Sequence, residues 1–165
     1  LKRHFLKDKE VKQLDLQVSE ALHIKLSAIL GPRLTVELVS APKADFFLID
    51  GKPLLMMSKG KLIPTLLFDK ALVLLPKVAV DMGAIPHVCN GADIMAPGIV
   101  EVEGSFNEGS FVVIVDVRHK KPLAIGTANL NSAEILKCKQ GKVIKNVHHV
   151  GNSMWELLKD LGSKP

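Results

Sequence analysis

Aromatic residues are scarce in this chain: six Phe, one Trp and no Tyr among 165 residues. That argues against a broad aromatic face on which successive nucleic-acid bases could stack. Cysteine is equally sparse. Cys89 and Cys138 stand 49 positions apart with no partner spacing, so neither a disulfide framework nor a zinc site can be built from them. Both read as free thiols in a reducing compartment. Long hydrophobic runs are missing too: the run Ala71 to Leu75 stops at Pro76 and Lys77, far short of a membrane span. The N-terminal stretch carries Lys2, Arg3, Lys7, Asp8, Lys9 and Glu10 and has no apolar signal-peptide core. The expectation is a cytoplasmic protein that engages no membrane.

Catalytic signatures are also lacking. The sequence holds no glycine-rich phosphate loop, no dinucleotide fingerprint and no serine in a nucleophile-elbow setting. His148-His149 is the one adjacent histidine pair, and neighbours on a strand point to opposite faces. As metal ligands they would need companions that the neighbourhood does not supply. A thiol of Cys89 or Cys138 with His87 or His148 as base stays open on sequence alone, although a buried, inert cysteine is the commoner case. Glu101 and Glu103 share one strand face and most simply decorate solvent.

What is present is an ordinary globular composition, 47% apolar and 24% charged, long enough for one domain or two small ones. The net charge of +5 is unevenly spread. Residues 78–116 contain six acids and no Lys or Arg, whereas 117–145 contain seven bases and one acid, Glu134. Such a basic segment is either an electrostatic footprint for phosphates or a set of scattered solubilising charges.

Periodicity sketches an α+β chain. Leu14, Val18, Ala21, Leu22, Leu26, Ile29 and Leu30 fall on one helical stripe, which Gly31-Pro32 ends. Leu34, Val36 and Leu38 alternate with polar residues as in a half-buried strand. Phe46 to Ile49, the turn Asp50-Gly51 and Leu54 to Met57 make a hairpin, and Ser58 to Lys61 is a further turn. Beyond Pro76, strands are expected around Val78 and Val80 and over Gly98 to Val102, Phe111 to Val117, Leu123 to Thr127 and Val143 to Val147. A closing helix is expected over Ser153 to Leu161. So many short strands in so few residues suggest a small β-barrel.

Residues 81–98 stand apart, with three glycines and two prolines set among small and polar side chains. Glycine lets a ligand approach the backbone and leaves amides available to it. A short helix flanked by tight turns would explain the same composition. The segment resembles the opening of a PUA domain: Val80-Asp81-Met82-Gly83-Ala84, a short helix, Gly91-Ala92-Asp93 and Pro97-Gly98. Phe106 with Phe111 to Val117, then Ala124 to Ala128, Gly141 to His148 and Met154-Trp155 follow in the order of that domain. Together with Pro64-Thr65-Leu66 upstream, the chain is similar to the malignant T-cell-amplified sequence proteins and to the N-terminal part of ligatin-type initiation factors. Asn152 stands where PUA domains often carry Asp.

The resemblance implies a small α+β N-terminal domain over 1–76, followed over 77–165 by a PUA-type β-barrel with short helices. It implies RNA binding, without cofactor, metal or catalysis, through Asp81, Gly83, Ala84, Gly91, Ala92, Asp93, Ile94 and Met95, with Gly126 and Thr127 on a nearby strand. The expected partners are tRNA or rRNA and the small ribosomal subunit, with the N-terminal domain as a docking face for the ribosome or a protein. Asp81 and Asp93 either accept from base amino groups and ribose hydroxyls or brace turns. Trp155 either packs the barrel or stacks on a base. Two other readings remain: an accessory protein or enzyme of tRNA or rRNA modification, and a protein-interaction module with a degenerate PUA domain.

Overall fold

The computed structural model describes residues 2–163; residue 1 and residues 164–165 of the two expected domains lie outside it. The described residues fall into two compact units, 2–71 with 158–163, and 72–157.

The first unit is an antiparallel sheet of β1 (Lys2–Phe5), β2 (Val36–Ser40), β3 (Asp45–Ile49), β4 (Lys52–Ser58) and β5 (Lys61–Pro64), in that order. Two helices, α1 (Asp8–Leu22) and α2 (Leu26–Leu30), lie between β1 and β2. The single helix expected from the apolar stripe is therefore broken. His23 adopts a left-handed conformation (φ 58°) that caps α1, and the Asp15 carboxylate of α1 accepts the Leu26 N–H at 2.8 Å to start α2. Leu14, Val18 and Leu22 still form the buried face of α1, as their spacing of four requires. Asp50-Gly51 and Lys59-Gly60 both have positive φ at the two turn positions, the geometry that suits two-residue hairpins. The N-terminal strand β1 has no apolar alternation and every residue of it is exposed, which is why periodicity gives no sign of it.

A short helix α3 (Asp69–Leu72) leads into the second unit. This contains β6 (Lys77–Val80), a 3-10 turn (Met82–Ala84), α4 (Ile85–Val88), β7 (Ile94–Met95), a second 3-10 turn (Ala96–Gly98), β8 (Ile99–Glu103), β9 (Phe111–Asp116), β10 (Pro122–Ala128), α5 (Ser132–Lys137) and β11 (Lys142–His149). The six strands form one sheet, curled into a half-barrel, in the order β7-β11-β10-β9-β6-β8. Every residue of β9 is buried, as its unbroken apolar run requires of a central strand. Val78, Val80, Val112, Ile114, Ala124 and Ile144 form the heart of the core. The pairing of β6 with β9 is parallel, and all other pairings of this sheet are antiparallel. Parallel pairing brings the C-terminal ends of β6 and β9 to the same end of the sheet.

Helix α6 (Ser153–Ser163) closes the described chain. Asn152 caps it, its side-chain oxygen accepting the Trp155 N–H at 2.7 Å. Leu158 and Leu161 are buried and belong to the first unit, where Gly162 stands over Pro53 and Leu67. No helix among the described residues is long and apolar enough to cross a membrane.

Candidate nucleic-acid interface

The loops after β6 enclose a cavity of about 400 Å³. Its floor is apolar, from Val80, Val88 and Ile94, and its walls are small, from Ala84, Ala92 and Gly98. His87, Met95, Asp93 and Lys142 complete the lining. Because β7 and β8 are the two outer strands of the sheet and the Ala96–Gly98 turn links them, the cavity opens where the half-barrel is not closed.

Hydrogen bonds fix these walls. The Asp81 carboxylate accepts the Ala84 N–H at 2.8 Å and so caps the first 3-10 turn. The Asp81 N–H donates to the Gly98 carbonyl at 3.0 Å, tying the two 3-10 turns together. Gly98 packs close to the other turn, where a Cβ would come to 3.4 Å from the Cβ of Ala84, about van der Waals contact. Asn146 on β11 secures the other wall. Its Nδ2 donates to the carbonyls of Val88 and Ala92, each at 3.0 Å, while its own N–H donates to Asp93 Oδ1 at 2.9 Å. Gly91 turns with φ +90°, where side chains are strained, and a Cβ on it would come to 3.1 Å from His149 Nε2.

The expected site residues therefore sort themselves. Ala84, Ala92, Asp93, Ile94 and Met95 come together around the cavity, with Ile94 buried in its floor and Met95 exposed at its mouth. Gly83 and Gly91 are exposed on the loops beside it. Asp81 and Asp93 both brace the backbone. Asp93 keeps Oδ2 directed towards Lys142 Nζ, 4.0 Å away. Gly126 and Thr127 on β10 do not line the cavity. Gly126 is buried beneath Ile144, and the Thr127 hydroxyl is buried without a hydrogen-bond partner. The cavity also takes in His87, Gly98 and Lys142, with Asn146 bracing it, and none of these four was among the expected RNA-binding residues. Lys142 belongs to the basic segment already noted, whereas nothing in the sequence ties Asn146 to a loop more than fifty positions upstream.

Burial pushes the Cys89 thiol above its ordinary range, which disfavours the thiolate. Among the described residues no group of three or more His, Cys, Asp or Glu is placed to hold a metal ion. Asn146→Ala removes two hydrogen bonds from the loop carbonyls, one part-buried at Val88 and one exposed at Ala92. It should cost about 1–2 kcal/mol in urea unfolding and speed hydrogen exchange at the Gly91 and Ala92 amides, which are bonded within the loop. Unchanged exchange there would remove Asn146 as the loop's anchor.

Comparison with known proteins matches this geometry. Residues 76–150 match the family model of the PUA domain, and 2–69 match a domain of unknown function termed DUF1947. An uncharacterised protein of Methanocaldococcus jannaschii is 38% identical, the alignment covering 93% of this chain and 95% of that one. Translation machinery-associated protein 20 of Saccharomyces cerevisiae is 30% identical over 79% of this chain and 76% of its own length. A crystal structure of a PUA domain from Aeropyrum pernix, in complex with tartrate, superposes with a TM-score of 0.85 at 27% identity, covering 98% of this chain and 93% of that one. With a DUF1947 domain followed by a PUA domain, this chain belongs to the PUA-domain family that includes Translation machinery-associated protein 20 and the malignant T-cell-amplified sequence proteins.

Proposed function

We propose that this protein is a non-catalytic, cytoplasmic RNA-binding factor of the translation apparatus, contacting tRNA or the small ribosomal subunit through the cavity after β6. The observation that carries the reading is the cavity itself: an apolar floor, small walls and one carboxylate and one ammonium group at the rim. A planar base slides between small side chains, and an unstacked nucleotide is the form in which RNA is usually read. Asp93 Oδ1 is occupied by the Asn146 N–H, and Oδ2 has no hydrogen-bond donor closer than Lys142. It can accept from an exocyclic amino group, which favours adenine, cytosine or guanine over uracil. Lys142 lies beside it for the adjoining phosphate. Kinship with a protein named for its association with the translation machinery supports the cellular setting. The N-terminal unit is then a face for docking on the ribosome or on a protein partner.

The test is binding to purified small subunits and to bulk tRNA across a salt series, with Ala92→Trp as the comparison. Ala92 is exposed on the rim, so the indole fills the cavity without entering the core. Loss of one seated base should lower affinity by about thirty-fold while the melting temperature stays put. Preference for subunits supports the ribosomal setting, and preference for free tRNA points to RNA modification. A folded protein that binds neither sinks the reading and leaves a protein-interaction module.

A further inference from the structure

The β9–β10 turn carries four consecutive exposed basic-type residues, Arg118, His119, Lys120 and Lys121, and the proposed function does not use them. A buried carboxylate builds this turn. Asp116, 4% exposed, accepts the His119 N–H at 2.7 Å and the Lys121 N–H at 2.8 Å through its two oxygens. The Lys120 N–H donates to the Asp116 carbonyl at 3.0 Å, and Lys120 takes a left-handed φ of 56°. The His119 N–H foremost, and then that of Lys121, hold the Asp116 carboxyl below its usual range, so its charge is permanent at neutral pH. A solvating turn needs no such scaffold. A buried anion bonded to two backbone amides is costly to place and fixes the backbone of the turn.

Lys120 is held by Glu101 of β8. Arg118 and Lys121 make no side-chain hydrogen bond or ion pair within the described residues and face solvent. Their position follows from the parallel pairing. Asp116 is opposite Val80, the Val117 N–H donates to the Val80 carbonyl at 3.1 Å, and Val80 forms part of the cavity floor. The turn and the cavity thus rise from neighbouring strands at one end of the sheet, about one strand spacing of 5 Å apart at their roots. That is less than the step from one phosphate of an extended strand to the next.

We propose that Arg118 and Lys121 form a phosphate anchor for the RNA whose base occupies the cavity, with Asp116 as the positioning residue that holds the backbone from which both side chains extend. This rests on the RNA-binding reading. It adds two contacts that carry affinity without base preference, while the cavity supplies the choice of base.

The experiment compares the wild type, Arg118→Gln/Lys121→Gln and the charge-matched Lys9→Gln/Lys12→Gln, whose lysines are exposed on α1. Each is titrated with one single-stranded oligoribonucleotide at several salt concentrations. Removing two phosphate contacts should flatten the slope of log K against log salt by about 1.4 and weaken binding about twenty-fold at 0.1 M salt. The relative affinities for adenine- and uracil-containing strands should not change, and the α1 pair should behave as wild type. Asp116→Asn should weaken binding in the same sequence-independent way, with Arg118 and Lys121 still present. Wild-type binding with an unaltered slope in the turn variant overturns the anchor and leaves the RNA reading standing, as does an equal loss in the α1 pair. A wild type that does not bind RNA overturns both.

Discussion

Gly126→Ala is expected to destabilise the protein by about 2 kcal/mol, and Gly126→Val by about 3 kcal/mol or more, in urea unfolding. The direction is the reverse of the usual one, since glycine inside a strand is ordinarily worse than alanine by about 0.5–1 kcal/mol. Backbone strain is not the cause, because Gly126 is not among the residues of positive φ. The cause is space. A Cβ at Gly126 would lie 2.4 Å from Ile144 Cγ2 and 3.1 Å from the Lys145 carbonyl oxygen, on the strand paired with β10. The register shifts between Ile125 and Gly126, so the strand has already bent to bring these groups together. Removing the obstructing methyl with Ile144→Ala should make the double variant more stable than the two separate losses add up to, by at least about 1 kcal/mol. Strict additivity would show that the crowding is relieved elsewhere. RNA affinity per folded molecule should be unaltered in Gly126→Ala, since this residue packs the sheet and does not line the cavity.

Acid is expected to weaken the fold over a defined window. His148 is fully buried, its Nε2 has no hydrogen-bond partner, and Nδ1 lies 3.4 Å from Asn152 Nδ2. Burial first, and the neighbouring His149 second, lower its pKa from the ordinary 6.5 to about 4, against a smaller opposing effect of Asn152. A depressed histidine pKa means that the unfolded chain takes up the proton before the folded one does. The stabilisation is complete above pH 6.5 and disappears as pH falls towards 4, for a total of about 3 kcal/mol. Asp116 and Glu37, whose carboxyls are held low by hydrogen bonds, lose their contribution only below their ordinary values of 3.8 and 4.5. The slope between pH 6.5 and 5 is therefore diagnostic of His148. Urea midpoints at pH 7 and 5 measure it, and a flat response would show that the imidazole is hydrated. Asn152→Asp, which restores the acid common in PUA domains, places a carboxylate beside Nδ1 and keeps an acceptor for the Trp155 N–H. It should raise the His148 pKa and shrink the acid loss.

Unbroken apolar runs, such as that in Phe111–Asp116, and turns with a strong local preference, such as Asp50-Gly51, are legible in the sequence because their causes are local. The cavity loops are legible for a different reason: three glycines and two prolines in 81–98 mark a tightly folded segment even when its purpose is open. Features decided by distant partners are not legible. Gly126 and Gly91 look alike in a string, yet one is glycine because Ile144 crowds it and the other because its φ is +90°. Asn146 reads as an ordinary strand residue until its amide is seen joined to Val88 and Ala92. The break at His23 escapes the pattern because the apolar stripe continues on both sides of it. Helix α5 was not expected from the sequence: hydrophobic periodicity passes over it, and its one local cue is the Asn131…Glu134 capping box.

The assignment of Leu158 and Leu161 to the first unit means that the chain is nested, not threaded as beads. During synthesis the sheet of the first unit is made before residues 72–157, yet it lacks two of its buried leucines until those residues have followed. Its final packing therefore waits for the PUA half to be made. A gene fragment cut after the last strand would strip the amino-terminal module of part of its interior, although the cut lies far from that module in sequence. Recombination that removes residues 72–165 at a simple junction would meet the same obstacle.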